Sequence, residues 1–240
     1  MTGRCRGFTI IEVMLFLAIS GSLAVALLIG TSLAIQRQQY RDAVQSFAGF
    51  LSDQYAKVLH VENERTAKTC PLTGSLETLR GQSDCVIIGR YIASVGPTDT
   101  VDGSRYAAYP VYARKVGSTW RYALGEAAPY ALNWGVKTRF SMQGELSARI
   151  ALLMYRDPEN GQIIMRANSG RYTSATIGEF IAGKSDSAAT GDSQLARYEI
   201  CVYDRGWFQN ERRSVFIGAR AGSSSAIQVG NATGACRDAA

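Results

Sequence analysis

GFTIIEVMLFLAISGSLAVALLIG, residues Gly7 to Gly30, decides how the rest of this chain is read. From Phe8 to Ile35 the only charged residue is Glu12. A helix needs about 20 apolar residues to cross a hydrocarbon core roughly 30 Å thick, so the run is long enough. A carboxylate in lipid costs about 2.5–3.5 kcal/mol on insertion scales, so Glu12 needs a partner that offsets this. An ordinary secretory signal has an apolar core of only about 7–15 residues before its cleavage site. A plain signal anchor fits the length but gives no reason for Glu12. Arg4 and Arg6 precede the run without any acid. The positive-inside bias therefore puts the N-terminus in the cytoplasm and the remainder outside.

Working outward, the apolar run carries Ala18, Ser20, Gly21, Ser22 and Ala24, small residues of the kind that let membrane helices approach closely. No proline occurs before Pro71, so nothing stronger than Gly21 or Gly30 interrupts the helix. Beyond it, Tyr40, Val44, Phe47, Leu51, Tyr55 and Val58 recur in steps of three and four. That spacing predicts one helix running on to near Glu64, with an apolar stripe for a globular domain. His60 falls near its end and reads as a surface or packing residue.

After Cys70-Pro71 the texture changes. CVIIGRYIAS, YAAYPVYARKV, WRYALG, YALNWGVKTRF, ARIALLMYR, QIIMRA, RYEICVYD and RRSVFIGAR are rich in β-branched and aromatic residues and are bounded by turn residues. Each is expected to be a strand. Asn160-Gly161, between ARIALLMYR and QIIMRA, signals a hairpin. Gly183 to Ser193 reads as an exposed loop, and the last 18 residues as a short strand and a tail. Strands after one long helix imply an α+β fold with a single β-rich domain.

The 240 residues, 46% hydrophobic and 19% charged, fit a folded rather than a disordered chain. The net charge of +6, part of it from Arg4 and Arg6, is too mild to point to nucleic acid. Cys70, Cys85, Cys201 and Cys236 lie beyond the apolar run without C-x-x-C spacing, and His60 is the only histidine. This disfavours zinc. In an exported domain four cysteines form two disulfides, with three pairings open. Cys70 with Cys85 and Cys201 with Cys236 is favoured, because near neighbours close short loops. There is no phosphate-binding loop, no G-x-S-x-G elbow and no EF-hand. No enzyme activity, cofactor, metal or small-molecule substrate is expected.

GFTIIE resembles the prepilin processing motif of type IV pilins and type II secretion pseudopilins. The short basic leader MTGRCRG and the long apolar helix resemble that family too. The resemblance implies a membrane peptidase that cuts between Gly7 and Phe8 and methylates the Phe8 amine. It implies that Glu12, fifth in the mature chain, neutralises the Phe8 amine of a neighbouring subunit. Each charge is costly alone in a low-dielectric core, and the pair would serve as a register device. Family members at the very tip of a filament can lack this acid, so Glu12 implies a subunit above this one.

The implied parts are a cleaved leader at 1–7, a membrane and filament-core helix at 8–35, its amphipathic continuation at 36–65 and an exported pilin domain at 66–240. The implied partners are other pilin subunits, the prepilin peptidase and the inner-membrane assembly platform. The chain would start as a single-pass inner-membrane prepilin and end in an extracytoplasmic filament. That filament would serve adhesion, motility, DNA uptake or secretion. ICVYDRGWFQNERRSVFIGARAGSSSAIQV is loosely similar to minor pseudopilins and minor pilins of the GspH/FimT type. Arg205, Arg212, Arg213 and Arg220, beside Trp207 and Phe208, are candidate DNA-binding residues of the kind used in DNA-uptake pilins. Asp204 and Glu211 in the same stretch weaken that reading. A membrane-anchored binding module that never polymerises is the alternative from another class.

Overall fold

A computed structural model of the protein describes residues 9–60, 70–73, 85–96, 100–142, 144–183, 197–203, 212–218 and 226–238. It divides into two units, Met1–Asp42 and Ala43–Ala240. The long helix α1, Ile10–Leu59, contributes to both.

In the first unit α1 is helical without a break through Gly21 and Gly30. Two hydroxyls inside the apolar run are satisfied within the helix. Ser22 Oγ donates to the Ile19 carbonyl at 2.8 Å, and Thr31 Oγ1 reaches the Leu27 and Leu28 carbonyls at 3.0 and 3.1 Å. An unpaired hydroxyl would be costly in lipid, and this back-bonding removes that cost.

In the second unit one face of α1 is buried. Val44, Phe47, Leu51, Tyr55 and Val58 are covered, the stripe that the three-and-four spacing predicts. The helix ends at Leu59, short of Glu64, with His60 in a turn; residues 61–65 lie outside the described residues. Arg156 Nη2 donates to the Leu59 carbonyl at 3.1 Å, filling one acceptor that a helix end leaves open.

Two antiparallel sheets follow. The first joins β1 (Cys85–Val95), β2 (Arg105–Val116), β3 (Thr119–Leu124), β4 (Ala128–Ala131), β7 (Ala151–Arg156) and β8 (Ile163–Asn168), in the order β3-β2-β1-β7-β8 with β4 also on β2. The second joins β5 (Lys137–Met142), β6 (Glu145–Ser147), β9 (Arg197–Tyr203), β10 (Arg213–Gly218) and β11 (Ile227–Asn231), in the order β11-β10-β9-β5-β6.

Both faces of the first sheet are covered. Successive side chains of a strand point to opposite faces. Tyr106 on β2 meets Phe47 of α1, ring centroids 5.1 Å apart, while Val111 and Ala113 join a cluster with Tyr91, Leu153 and Tyr155. A short helix, α2 (Ile177–Ala182), inserts Ile177, Phe180 and Ile181 into that cluster. The sheet therefore lies between the lower part of α1 and α2, so β7 is apolar from Ala151 to Tyr155 instead of alternating. At the β1 bulge near Gly89 the neighbouring strand comes so close that an added Cβ would lie 2.3 Å from the Met154 carbonyl oxygen. Only glycine fits there.

The two sheets are joined by a buried polar contact. The Tyr106 and Thr138 hydroxyls share a hydrogen bond, and Thr138 Oγ1 donates to the Gly103 carbonyl at 2.8 Å. Burial pushes the Tyr106 phenol pKa up, so it stays protonated.

Several expectations need correction. YALNWGVKTRF is not one strand but β4, a 3-10 turn at Asn133–Gly135 and β5. Trp134 there takes φ 61° and ψ 21°, a left-handed conformation uncommon for a bulky residue. The hairpin expected around Asn160-Gly161 is present and joins β7 to β8 as antiparallel neighbours. Gly161, at φ 73°, donates to the Asp157 carbonyl at 2.8 Å, and Asp157 N donates to the Gln162 carbonyl at 2.8 Å. The strand β6 and the helices α2 and α3 (Gly234–Asp238) have no counterpart in the sequence reading. Each is six residues or shorter, too brief for a periodic pattern to register. Most of Gly183 to Ser193 lies outside the described residues.

Candidate functional site

The segment that carries the candidate chemistry is the start of α1. Thr9 and Glu12 fit the S/T-x-x-E pattern at a helix start. Glu12 Oε2 accepts from Thr9 N and from Thr9 Oγ1, both at 3.1 Å, and Thr9 Oγ1 accepts from Glu12 N at 3.3 Å. This is a reciprocal capping box, which satisfies backbone donors that a helix start leaves unpaired. The pattern T-I-I-E was legible in the sequence, and Thr9 is the residue the sequence reading missed. Within the single chain, therefore, Glu12 already has a partner. Gly7 and Phe8 lie outside the described residues.

Around and beyond Glu12 the helix is apolar on every side. Ile10, Ile11, Met14, Phe16, Leu27 and Leu28 are each at least 68% exposed. The helix holds a window long and apolar enough to cross a membrane, and none of that window is buried within the chain. A helix apolar all round is stable when lipid or protein covers it. From Ile10 to Ile35 it rises about 39 Å, more than the roughly 30 Å core requires.

The cysteines form two bonds, Cys70–Cys85 and Cys201–Cys236. The second fastens α3 to β9, where Cys201, Cys236 and Ala232 form a small buried cluster. Glu199 reinforces it. Its two carboxylate oxygens accept from Thr233 N at 2.8 Å and Thr233 Oγ1 at 2.5 Å, fixing the chain's entry into α3.

Of the four candidate DNA-binding arginines, Arg205 and Arg220 lie outside the described residues, as do Trp207 and Phe208. Arg212 Nη1 donates to the Arg237 carbonyl at 2.6 Å, so this guanidinium holds the C-terminal helix. Arg213 is half-buried on β10, opposite Val202 on one side and Asn231 on the other. Among the described residues no group of three or more His, Cys, Asp or Glu comes together as metal ligands.

Compared with families of known proteins, residues 2–28 match the prokaryotic N-terminal methylation motif. Compared with curated proteins and with solved structures, the chain gave no match. The motif supports reading the N-terminal segment as that of a type IV pilin-like precursor, of the kind that prepilin peptidase processes. Motif and apolar helix together fit a single-pass membrane-anchored protein that later enters a surface filament. Motif and fold both point to a structural protein rather than an enzyme.

Proposed function

We propose that this chain is a minor subunit of a type IV pilus-like or pseudopilus filament. The leader 1–7 is removed between Gly7 and Phe8, and the new Phe8 amine is methylated. The helix over 8–35 leaves the membrane to join a filament core, its continuation over 36–65 supports the domain, and residues 66–240 are displayed outside. One observation carries the reading. A helix apolar on all sides starts with a methylation motif and a carboxylate, and none of the described residues of its own chain covers it. Neighbouring helices of the same kind would cover it in a filament.

Glu12 has a specific part in this. Before cleavage its carboxylate is held by Thr9. After cleavage a neighbour's Phe8 amine offers a full positive charge in a low-dielectric core. A charge-assisted contact is roughly twice as strong as a neutral one, so the amine competes well with Thr9. The pair sets the register between subunits. The long β-rich domain supports a minor role. The assembled filament would serve adhesion, motility, DNA uptake or secretion.

The test is intact mass and N-terminal sequencing of the protein recovered from membranes, with and without the peptidase. A chain starting at methylated Phe8 is expected when the peptidase is active. A chain still starting at Met1 under that condition overturns the reading. Glu12→Ala is then expected to be processed yet absent from sheared filaments.

A further inference from the structure

The turn between β4 and β5 carries a residue that the fold does not call for. Trp134 and Gly135 both take left-handed backbone, at φ 61° and 68°, and Val136 N donates to the Asn133 carbonyl at 3.3 Å. Two such residues in the middle make a turn of the type I′ kind, where Asn and Gly are favoured. Gly135 obeys that preference. Trp134 does not, and a bulky side chain in this region is strained. Packing gives nothing back for the strain. Trp134 is 58% exposed, more than any other large apolar side chain described after Asp42. Its indole makes no hydrogen bond and no ring contact among the described residues.

The flanks hold the turn in place. Leu132 and Val136 are buried on either side of it. Leu132 N donates to the Ser104 carbonyl and Thr138 N to the Gly103 carbonyl, both at 2.9 Å. The surrounding structure therefore imposes the conformation and leaves the ring outside the core. Strain imposed in this way is found at binding sites more than elsewhere.

The strand register says where the turn lies. β4 runs along β2 from Ala128, opposite Ala108, to Ala131, opposite Arg105, and the chain leaves that end of the sheet to reach Trp134. The same end receives α1. Phe47 meets Tyr106, and Phe50 stacks on Tyr130 with ring centroids 4.0 Å apart. The last turn of α1 instead reaches Arg156, next to Tyr155, which is level through Gly89 with Val111 further along β2. Trp134 thus marks the end of the domain at which the chain comes in. Only residues 36–42 separate Ile35, at the end of the apolar run, from Ala43. As helix they rise about 10 Å, little more than the roughly 5–8 Å of headgroup layer on one side of a bilayer.

Tryptophan suits that layer. Its ring is apolar, its N–H finds polar partners there, and it is enriched at membrane–water interfaces. A protein partner would ask for more, because interface hot spots sit within well-packed patches. The neighbours exposed with Trp134 in the turn are Asn133 and Gly135, which offer no such patch.

We propose that Trp134 rests in the headgroup layer and holds the exported domain against the membrane surface while the chain is membrane-anchored. The inference rests on membrane anchorage and is independent of filament assembly.

The test is tryptophan fluorescence of the full-length chain in vesicles of phosphatidylethanolamine and phosphatidylglycerol. The wild type is compared with Trp134→Asn; Trp120 and Trp207 remain in both. Lipids carry a nitroxide quencher either at the headgroup or deep in the acyl chain, and acrylamide reports exposure to water. In the wild type, the Trp134 share of the emission is expected to be quenched several-fold more by the headgroup nitroxide than by the deep one or by acrylamide. Trp134→Asn should remove that share. The denaturant midpoint of this variant in detergent should be unchanged or raised, because asparagine fits this backbone better.

Equal headgroup quenching in both chains overturns the proposal. A lowered midpoint overturns it in favour of a packing role, and stronger quenching from the deep nitroxide in favour of an inserted wedge. Protection from all three quenchers that grows with the protein-to-lipid ratio overturns it in favour of a second copy. Retention of the chain in carbonate-washed vesicles is followed in parallel. Loss of retention would overturn membrane anchorage itself, whereas retention without headgroup quenching overturns this inference alone.

Discussion

The two parts of α1 are built from the same kinds of residue and behave in opposite ways. From Ile10 to Ile29 the large apolar side chains point in every direction and remain exposed, Ile10 and Leu28 among the most. After Ala43 they fall on one stripe, and Phe47 and Leu51 are fully buried. The difference lies in the spacing. An all-round apolar surface is wider than one sheet can cover, so its cover has to come from lipid or from other chains. A stripe about one face wide matches one sheet face, so it is satisfied within the chain. One helix thus leaves its apolar surface uncovered at one end and completes the core of the domain at the other.

The sharpest way to break this contrast is to truncate one aromatic in each part. Phe47→Ala removes a buried ring and should destabilise the exported domain by about 3–5 kcal/mol in denaturant unfolding of the detergent-solubilised chain. Phe16→Ala should leave that unfolding transition unmoved and reduce filament assembly instead. Comparable unfolding losses from both would show that the parts are not distinct.

Next in size are the disulfides. By the chain-entropy account, opening Cys201–Cys236, which spans 35 residues, should cost about 4 kcal/mol, against about 3 kcal/mol for Cys70–Cys85, which spans 15. Paired Cys→Ser variants compared by denaturant midpoint check the order. Opening the first should also raise amide exchange in α3, which that bond fastens to β9.

Smaller still is Thr9→Val, which removes a cap worth about 1 kcal/mol. Faster amide exchange is expected in the first turn of α1, with domain stability unchanged. A fall in domain stability would couple the two parts.

The smallest expected effect is a pH dependence. The Asp102 carboxyl is held down to about 2, first by the Ser104 hydroxyl, then by the Ser104 amide and Lys137, with burial opposing. Ser104 Oγ and N donate to Asp102 at 2.5 and 3.0 Å, and Lys137 lies 3.1 Å away. A depressed carboxyl contributes stability that is present above its ordinary pKa near 4 and is lost as pH falls toward 2. Asp102→Asn should flatten the domain's acid unfolding curve between those limits, modestly because the pair is partly exposed. It should leave α1 before Asp42 unaffected.

How much of this was legible differs from element to element. β1, β2 and β7 stand where their apolar runs predict, because long runs of β-branched and aromatic residues have few other stable arrangements. YALNWGVKTRF misled because its composition is strand-like throughout, while the break depends on Trp134 adopting a conformation its side chain disfavours. α2 could not be read from TIGEFIAG, since one and a half turns carry no periodicity. It forms because Phe180 finds Tyr172 and Tyr91 to pack against.

At the functional end, Glu12 stood out in the sequence because a lone carboxylate in a long apolar run is costly wherever it sits. The tyrosine cluster beside α2 did not stand out. Tyr91, Tyr109 and Tyr172 are far apart in the chain, and the pairing of β1 with β2 together with the bond from Tyr172 N to the Tyr91 hydroxyl gathers them.

What the sequence determined by itself is therefore what depends on local physics. An unbroken apolar run fixes a helix that can enter a membrane, T-I-I-E fixes its first turn, and alternating or continuous apolar runs fix the strands. Which strands pair, how Tyr106 reaches Thr138 across two sheets, and which side chains cluster beside α2 were decided by tertiary structure. Those outcomes depend on contacts between residues distant in the chain, whose energies appear only once the backbone has brought them together.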